Sequence, residues 1–309
     1  MTKSKSILYD LYLDLKRGLS NKRFWSVLGI FSLVFILHMV LRYIWPLTVY
    51  YYGFKGLVYE ALHGPTFTPQ LEIQNITSMQ LFHNFFPFIG SLAYAYTIMD
   101  DKRNGYYIQQ TQRVGFSRYY WCKLAASAIL SGVLGALLLA SICLLAVLLT
   151  TYNPFFKEAA EYYSQYTDFL DNHTIGWGYH NVVAAVHNPW AWWFVGGIKY
   201  FIEGVLFGLM ASVIAFFSDN RVLMTAVPIL YFIIEDKALY MLRCLFGTDS
   251  YVSMFLNKFT FRSEMGNSSY GNLYHYALLI FLIVLLINLA KILQRRAKNL
   301  YMEGGNADD

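Results

Sequence analysis

The chain has 309 residues, 57% hydrophobic, 18% aromatic and only 14% charged, with a net charge of +5. A soluble domain carries about 25% charged residues, so this deficit excludes an ordinary soluble globular protein and predicts an all-α polytopic membrane protein. Cys122, Cys143 and Cys244 show no paired spacing, which argues against a disulfide framework or a zinc site. The positive charge comes mainly from loops flanking apolar runs, so it points to no nucleic-acid partner.

Residues 1–23 are basic, with Lys3, Lys5, Lys16, Arg17, Lys22 and Arg23. On a helical wheel Ile7, Leu8, Leu11, Tyr12, Leu15 and Leu19 share one broad arc opposite Ser6, Asp10, Asp14 and Arg17, which predicts an amphipathic helix lying on the inner leaflet. The apolar run that follows is too long for a signal peptide and lacks a small-residue cleavage site.

Six spans are expected, at about 24–43, 81–99, 124–150, 190–217, 222–237 and 275–293, each near the roughly 20 residues that cross about 30 Å of hydrocarbon. The first carries His38 and Arg42, one turn apart near its outer end, where Arg42 can snorkel. Gly132 and Gly135 mark close-packing points on the third span. The fifth meets Glu235, Asp236 and Lys237 after a short apolar run, so it either ends there or continues with a polar break, and Pro228 is placed to kink it. Residues 238–274 read as a broken outer segment and 300–309 as a disordered tail. The seven tryptophans fall at or just outside the ends of apolar runs, as interfacial rings do.

Sixteen Lys or Arg residues fall in the segments this layout places inside and four in those it places outside. That bias puts both termini in the cytoplasm of a plasma or bacterial inner membrane.

The stretch 100–123 joins the second and third spans and is both charged and glycine-punctuated. Asp100 and Asp101 are followed by Gly105, a polar and aromatic run, Arg113, a second glycine at Gly115, Ser117-Arg118, and Lys123 at the start of the next apolar helix. That order resembles the first cytoplasmic loop of ABC type-two transporter permeases, where a short coupling helix docks into a separate ATPase. The likeness in residues is confined to about 101–123, while the layout of elbow helix, six spans and broken outer segment extends it over most of the chain. Many members of that family have a proline before the Ser-Arg pair, where this chain has Arg113-Val114-Gly115-Phe116. The resemblance implies a non-enzymatic exporter subunit, with ATP and Mg held by a partner ATPase, and pairing with a second copy or a similar permease. Within it, Tyr106, Tyr107 and Ile108 would present the docking face, and Arg113, Arg118 and Lys123 would anchor the segment at anionic headgroups. No G-x-x-x-x-G-K-[ST] phosphate loop occurs in the chain. Aromatic-rich spans with few internal charges imply a hydrophobic or amphipathic cargo: a peptide, a lipid-like molecule or a drug.

Lys199 and Glu203 stand four apart on the fourth span, on one helical face. With Glu235 and Asp236 they form either a candidate substrate path or structural pairs, and they are also the polar centre an ion-coupled carrier or intramembrane enzyme would use. The acidic, aromatic stretch 157–171 reads as a helix capping the outer face, or as an attractor of cationic amphiphiles. His173, His180 and His187 recur every seven residues, but helical spacing would separate neighbours by about 10 Å and Gly176 and Gly178 oppose a helix, so no metal site is expected. Three glycosylation sequons, at Asn75, Asn172 and Asn267, are read as chance matches in a chain of bacterial character.

Overall fold

The computed structural model of the chain describes residues 6–39, 80–150, 189–246 and 268–304. The described residues are helical, with no strand among them. In chain order the helices are α1 (Ile7–Leu19), α2 (Lys22–Met39), α3 (Gln80–Leu92), α4 (Tyr96–Arg103), α5 (Tyr106–Val114), α6 (Phe116–Thr150), α7 (Pro189–Phe217), α8 (Arg221–Phe246) and α9 (Ser268–Gly304). The three sequons, the three histidines, the stretch 157–171, Arg42 and most of the expected outer loops lie outside the described residues.

Three of these helices are long and apolar enough to cross a membrane, over Phe116–Ser141, Tyr200–Phe217 and Tyr276–Asn299. They correspond to the third, fourth and sixth expected spans. The described residues are thus helical throughout the bundle, and their long apolar helices mark a membrane-embedded protein. The second expected span is broken: α3 ends at Leu92, residues 93–95 form a turn, and α4 resumes at Tyr96. In that turn the Thr97 hydroxyl and backbone N–H both donate to the Tyr94 carbonyl, at 2.7 and 2.9 Å. The fifth continues through Pro228 and 235–237 as one helix to Phe246. The last helix runs on to Gly304, so residues 300–304 of the expected tail are helical.

The centre of the bundle is the pairing of α6 with α7, the most extensive helix contact in the structure. Small residues bring their backbones together. A Cβ added at Gly132 would lie 2.8 Å from the Phe201 carbonyl oxygen, and one at Gly135 would lie 2.6 Å from that of Tyr200. From the facing helix, Gly204 abuts the Ser131 carbonyl and Gly208 the Ser127 carbonyl. Gly204 and Gly208 are four apart, the spacing that lets two membrane helices approach closely. The seam carries its own polar links: Ser127 Oγ donates to the Gly208 carbonyl at 3.1 Å, and Ser131 Oγ to the Gly90 carbonyl of α3 at 2.6 Å.

Aromatic side chains fill the space beside this seam. Phe86 packs edge-on against Tyr200 and Phe207, with centroids 5.2 and 6.1 Å apart. Nearer α4 and α5, Tyr120 meets Phe216 at 4.5 Å and its hydroxyl donates to the Ala290 carbonyl of α9 at 3.0 Å. Although attached there, α9 buries only 11% of its apolar window, against 61% for α6 and 67% for α7. It runs along the outside of the bundle.

Candidate functional site

At one end of the bundle α5 forms a nine-residue helix with no buried residue. Glycines bound it on both sides. Gly105 takes φ 65°, ψ 2° at its start, a left-handed conformation that side chains other than Asn and Asp rarely adopt. Gly115 takes φ 83°, ψ 145° at its end, close to a region that is nearly glycine's alone. The chain needs both turns, because α4, α5 and α6 follow one another with only one or two residues between them. Gly115 therefore ends the helix.

The outward and inward sides of α5 follow helical spacing. Tyr107, Thr111 and Val114 lie at i, i+4 and i+7 and turn toward the bundle, Tyr107 and Val114 against the core cluster around Tyr120. Tyr106, Ile108, Gln109, Gln112 and Arg113 are exposed, with Tyr106 at 38% and Ile108 at 40%. Tyr106, Tyr107 and Ile108 thus do not form one face as expected: successive helical residues point 100° apart, and Tyr107 packs inward. Tyr106 is steadied by Gln110, which donates to its hydroxyl at 2.6 Å, and by the Arg17 guanidinium 5.1 Å above its ring. Ser117 is exposed just past Gly115. Arg113 has no ion-pair partner among the described residues and borders a cleft of about 150 Å³ between α1 and α5.

Beneath α5 lies an ion network that the sequence reading missed. Lys123, 2% exposed, places its ammonium 2.6 Å from Asp14 Oδ1 and 3.0 Å from Asp101 Oδ2. Asp101, 1% exposed, also meets Arg17 at 2.8 Å. Arg118 pairs with Asp10 at 2.6 Å. The Tyr94 hydroxyl donates to Asp14 at 3.0 Å and receives a bond from Lys123 at 3.2 Å, while the Tyr119 hydroxyl reaches Asp101 at 3.4 Å. Burial works against the charge of Arg17, but the hydrogen bond and field of Asp101 outweigh it and hold the guanidinium above its ordinary range.

Two expectations are corrected here. Arg118 and Lys123 do not reach for headgroups, because carboxylates of α1 neutralise them inside the protein. Asp101, expected as a coupling residue at the start of the stretch that resembles the coupling loop, is instead the buried anion joining α1, α4 and α6. The amphipathic helix also has partners that the sequence did not reveal. Its polar side, with Asp10, Asp14 and Arg17, faces these partners, Leu11 and Leu15 pack against the core, and Ile7, Leu8, Tyr12 and Leu19 are left exposed. The available signal was Asp10 and Asp14 standing four apart amid six basic residues.

A second layer fastens the neighbouring turn. Asp100 pairs with Arg23 of α2 and, at 3.1 Å, with Arg221 of α8. Lys102 donates to the Phe216 carbonyl at 3.0 Å and to Asp219 at 3.2 Å, and Arg103 bonds the Asp219 carbonyl at 3.3 Å. Burial lowers the pKa of Lys102, with Asp219 pulling the other way. Asn21 and Asn220 cap α2 and α8, accepting from the Arg23 and Val222 N–H groups at 3.0 and 2.9 Å. Through Asp100, Asp101, Lys102 and Arg103, the root of α5 is tied to α1, α2, α6, α8 and the α7–α8 turn.

Away from this end, Glu203 is fully buried on α7. Lys199, Glu235 and Asp236 stand on described helices, but their side chains are outside the described set.

These features define a membrane-embedded helical protein that presents one short surface helix on an ion-paired base. No protein-family model, curated protein or solved structure matches the chain.

Proposed function

We propose that the chain is the permease subunit of an ABC-type exporter. On this reading α5 docks into a cleft of a separate ATPase, which binds the ATP and Mg. The observation that carries it is α5 itself: a helix with no buried residue and one exposed side, whose ends are fixed by two positive-φ glycines and whose base is ion-paired to five other elements. A push on such a helix cannot be absorbed locally. Buried ion pairs tolerate little loss of geometry, so displacement passes to α1, α4 and α6 together and from α6 to α7 along their glycine seam. Tyr106 and Ile108 supply the apolar contact on the outward side, and Arg113, exposed and without an ion-pair partner among the described residues, a cation for carboxylates of the partner.

The orientation that follows puts this end and both termini in the cytoplasm, in keeping with the bias of Lys and Arg. Pairing of two such chains, or of this one with a similar permease, would complete the pathway for a hydrophobic or amphipathic cargo. The outward apolar surface of α9 supports it, with Ile280, Phe281, Val284, Leu285 and Ile292 exposed.

The test is purification from native membranes with identification of the co-eluting subunits, for wild type and for Tyr106→Asp with Ile108→Asp. The expected result is a co-eluting ATPase that the double variant loses while still inserting in the membrane. Retention of both assembly and ATP-driven transport by that variant would refute the docking role.

A second reading, an ion-coupled carrier or intramembrane enzyme, is favoured by the buried Glu203. Under it, Glu203→Gln would abolish transport in vesicles lacking ATP.

A further inference from the structure

A groove of about 430 Å³ opens beside the ion-paired base, between the start of α2, the end of α3 and the start of α8. Its chemistry is divided. One end carries Lys22, Arg23 and Arg221, and the wall beyond is built from Val27, Ile30 and Leu92. Tyr96 lies between, with the Arg221 guanidinium 5.6 Å over its ring.

The charged end is not neutralised. Among the described residues Asp100 is the carboxylate that pairs with its guanidiniums, and it is shared between Arg23 and Arg221 while Lys22 has no ion-pair partner. Three cations against one carboxylate leave a local excess of two positive charges. Arg221 Nε is buried without a hydrogen-bond partner among the described residues. Both α2 and α8 begin here, so the positive ends of two helix dipoles add to the field. From Lys22 to Ile30 the groove follows α2 for eight residues, about 12 Å along the axis. Trp25, exposed on the same helix, donates its indole N–H to the Leu19 carbonyl at 2.7 Å, and exposed tryptophans beside apolar spans favour the membrane interface.

A ligand that satisfies both ends has an anionic head and a hydrocarbon chain leaving it at right depth for a bilayer. We infer that this groove binds one anionic phospholipid from the surrounding leaflet, its phosphate between Lys22, Arg23 and Arg221 and an acyl chain along Val27, Ile30 and Leu92. The lipid would thereby touch Asp100's partners and bear on the base of α5. The inference rests on membrane embedding and not on ATP coupling, so its failure leaves the exporter proposal untouched.

The experiment is native mass spectrometry of the full chain in neutral detergent, titrated with dioleoylphosphatidylglycerol, dioleoylphosphatidylcholine or inorganic phosphate. Wild type is expected to retain one phosphatidylglycerol in preference to phosphatidylcholine. Lys22→Gln with Arg23→Gln should weaken that binding roughly 30-fold, from the worth of a basic residue at an anionic surface. Lys22→Gln alone, at an exposed position, should weaken it about 5-fold and serves if the double variant does not fold. Arg295→Gln with Arg296→Gln, exposed on α9, removes the same charge elsewhere and should leave binding unchanged. Equal retention of the two lipids, an equal loss from the α9 variant, or displacement of the lipid by millimolar phosphate would each overturn the assignment.

Discussion

Replacing Lys123 by Met keeps the length and apolar stem of the side chain and removes its charge from a site that is 2% exposed. Asp14 would lose a cation 2.6 Å away and Asp101 one at 3.0 Å. Removing one partner of a buried ion pair destabilises by about 3–5 kcal/mol, because the remaining charge is left uncompensated. Here Asp101 keeps Arg17 at 2.8 Å and Asp14 keeps the Tyr94 hydroxyl at 3.0 Å, which places the loss near the low end, about 3 kcal/mol. At a few degrees per kcal/mol for a chain of this size, that is a drop of roughly 6–12 °C in midpoint. Tryptophan fluorescence during heating in detergent would report it. Adding Asp14→Asn to Lys123→Met should return part of the loss, since position 14 then carries no unpaired charge while Asp101 keeps Arg17. A midpoint within 2 °C of wild type for Lys123→Met, or a double variant less stable than the single one, would refute the account of a coupled network.

Two further outcomes follow from the glycines. A Cβ at Gly115 meets nothing within 4 Å, so Gly115→Ala tests backbone strain alone and should cost about 1–3 kcal/mol, read as faster tryptic cleavage at Arg113 as α5 unwinds. Gly105→Asn, at a left-handed position that Asn accepts, should leave cleavage nearly unchanged. At Gly204 an added Cβ would run into the Ser131 carbonyl and lie 2.9 Å from the Gly132 Cα, so Gly204→Leu should separate α6 from α7 at a loss of about 3 kcal/mol. Gly197→Ala, on the same helix with nothing within 4 Å, is the control and should hold the wild-type midpoint.

Membrane embedding was legible because it depends on composition averaged over long runs, and α6, α7 and α9 are unbroken enough to show it. The short helix between Gly105 and Gly115 was legible for a local reason, since punctuation by glycine survives any packing. What could not be read was where its neighbours point. Arg118 and Lys123 look like headgroup anchors until Asp10 and Asp14, more than a hundred residues earlier, are placed against them. Periodicity supplies the face of a helix and not what lies opposite, which is also why the partners of α1's polar side went unread. The break at residues 93–95 left no mark in hydropathy, and Gly204 and Gly208 passed unnoticed beside the more conspicuous Gly132 and Gly135.

The contact between Asp14 and Lys123 spans 109 positions of chain. At the rate a ribosome extends a polypeptide, roughly 5–20 residues per second, the first helix is made some 5–20 s before its counter-ions exist. Its carboxylates must pass that interval hydrated, so α1 can only settle into its final seat once the beginning of α6 has emerged. Birth order thus makes α1 wait for α6, and the ties of Asp100 and Lys102 to Arg221 and Asp219 close later still.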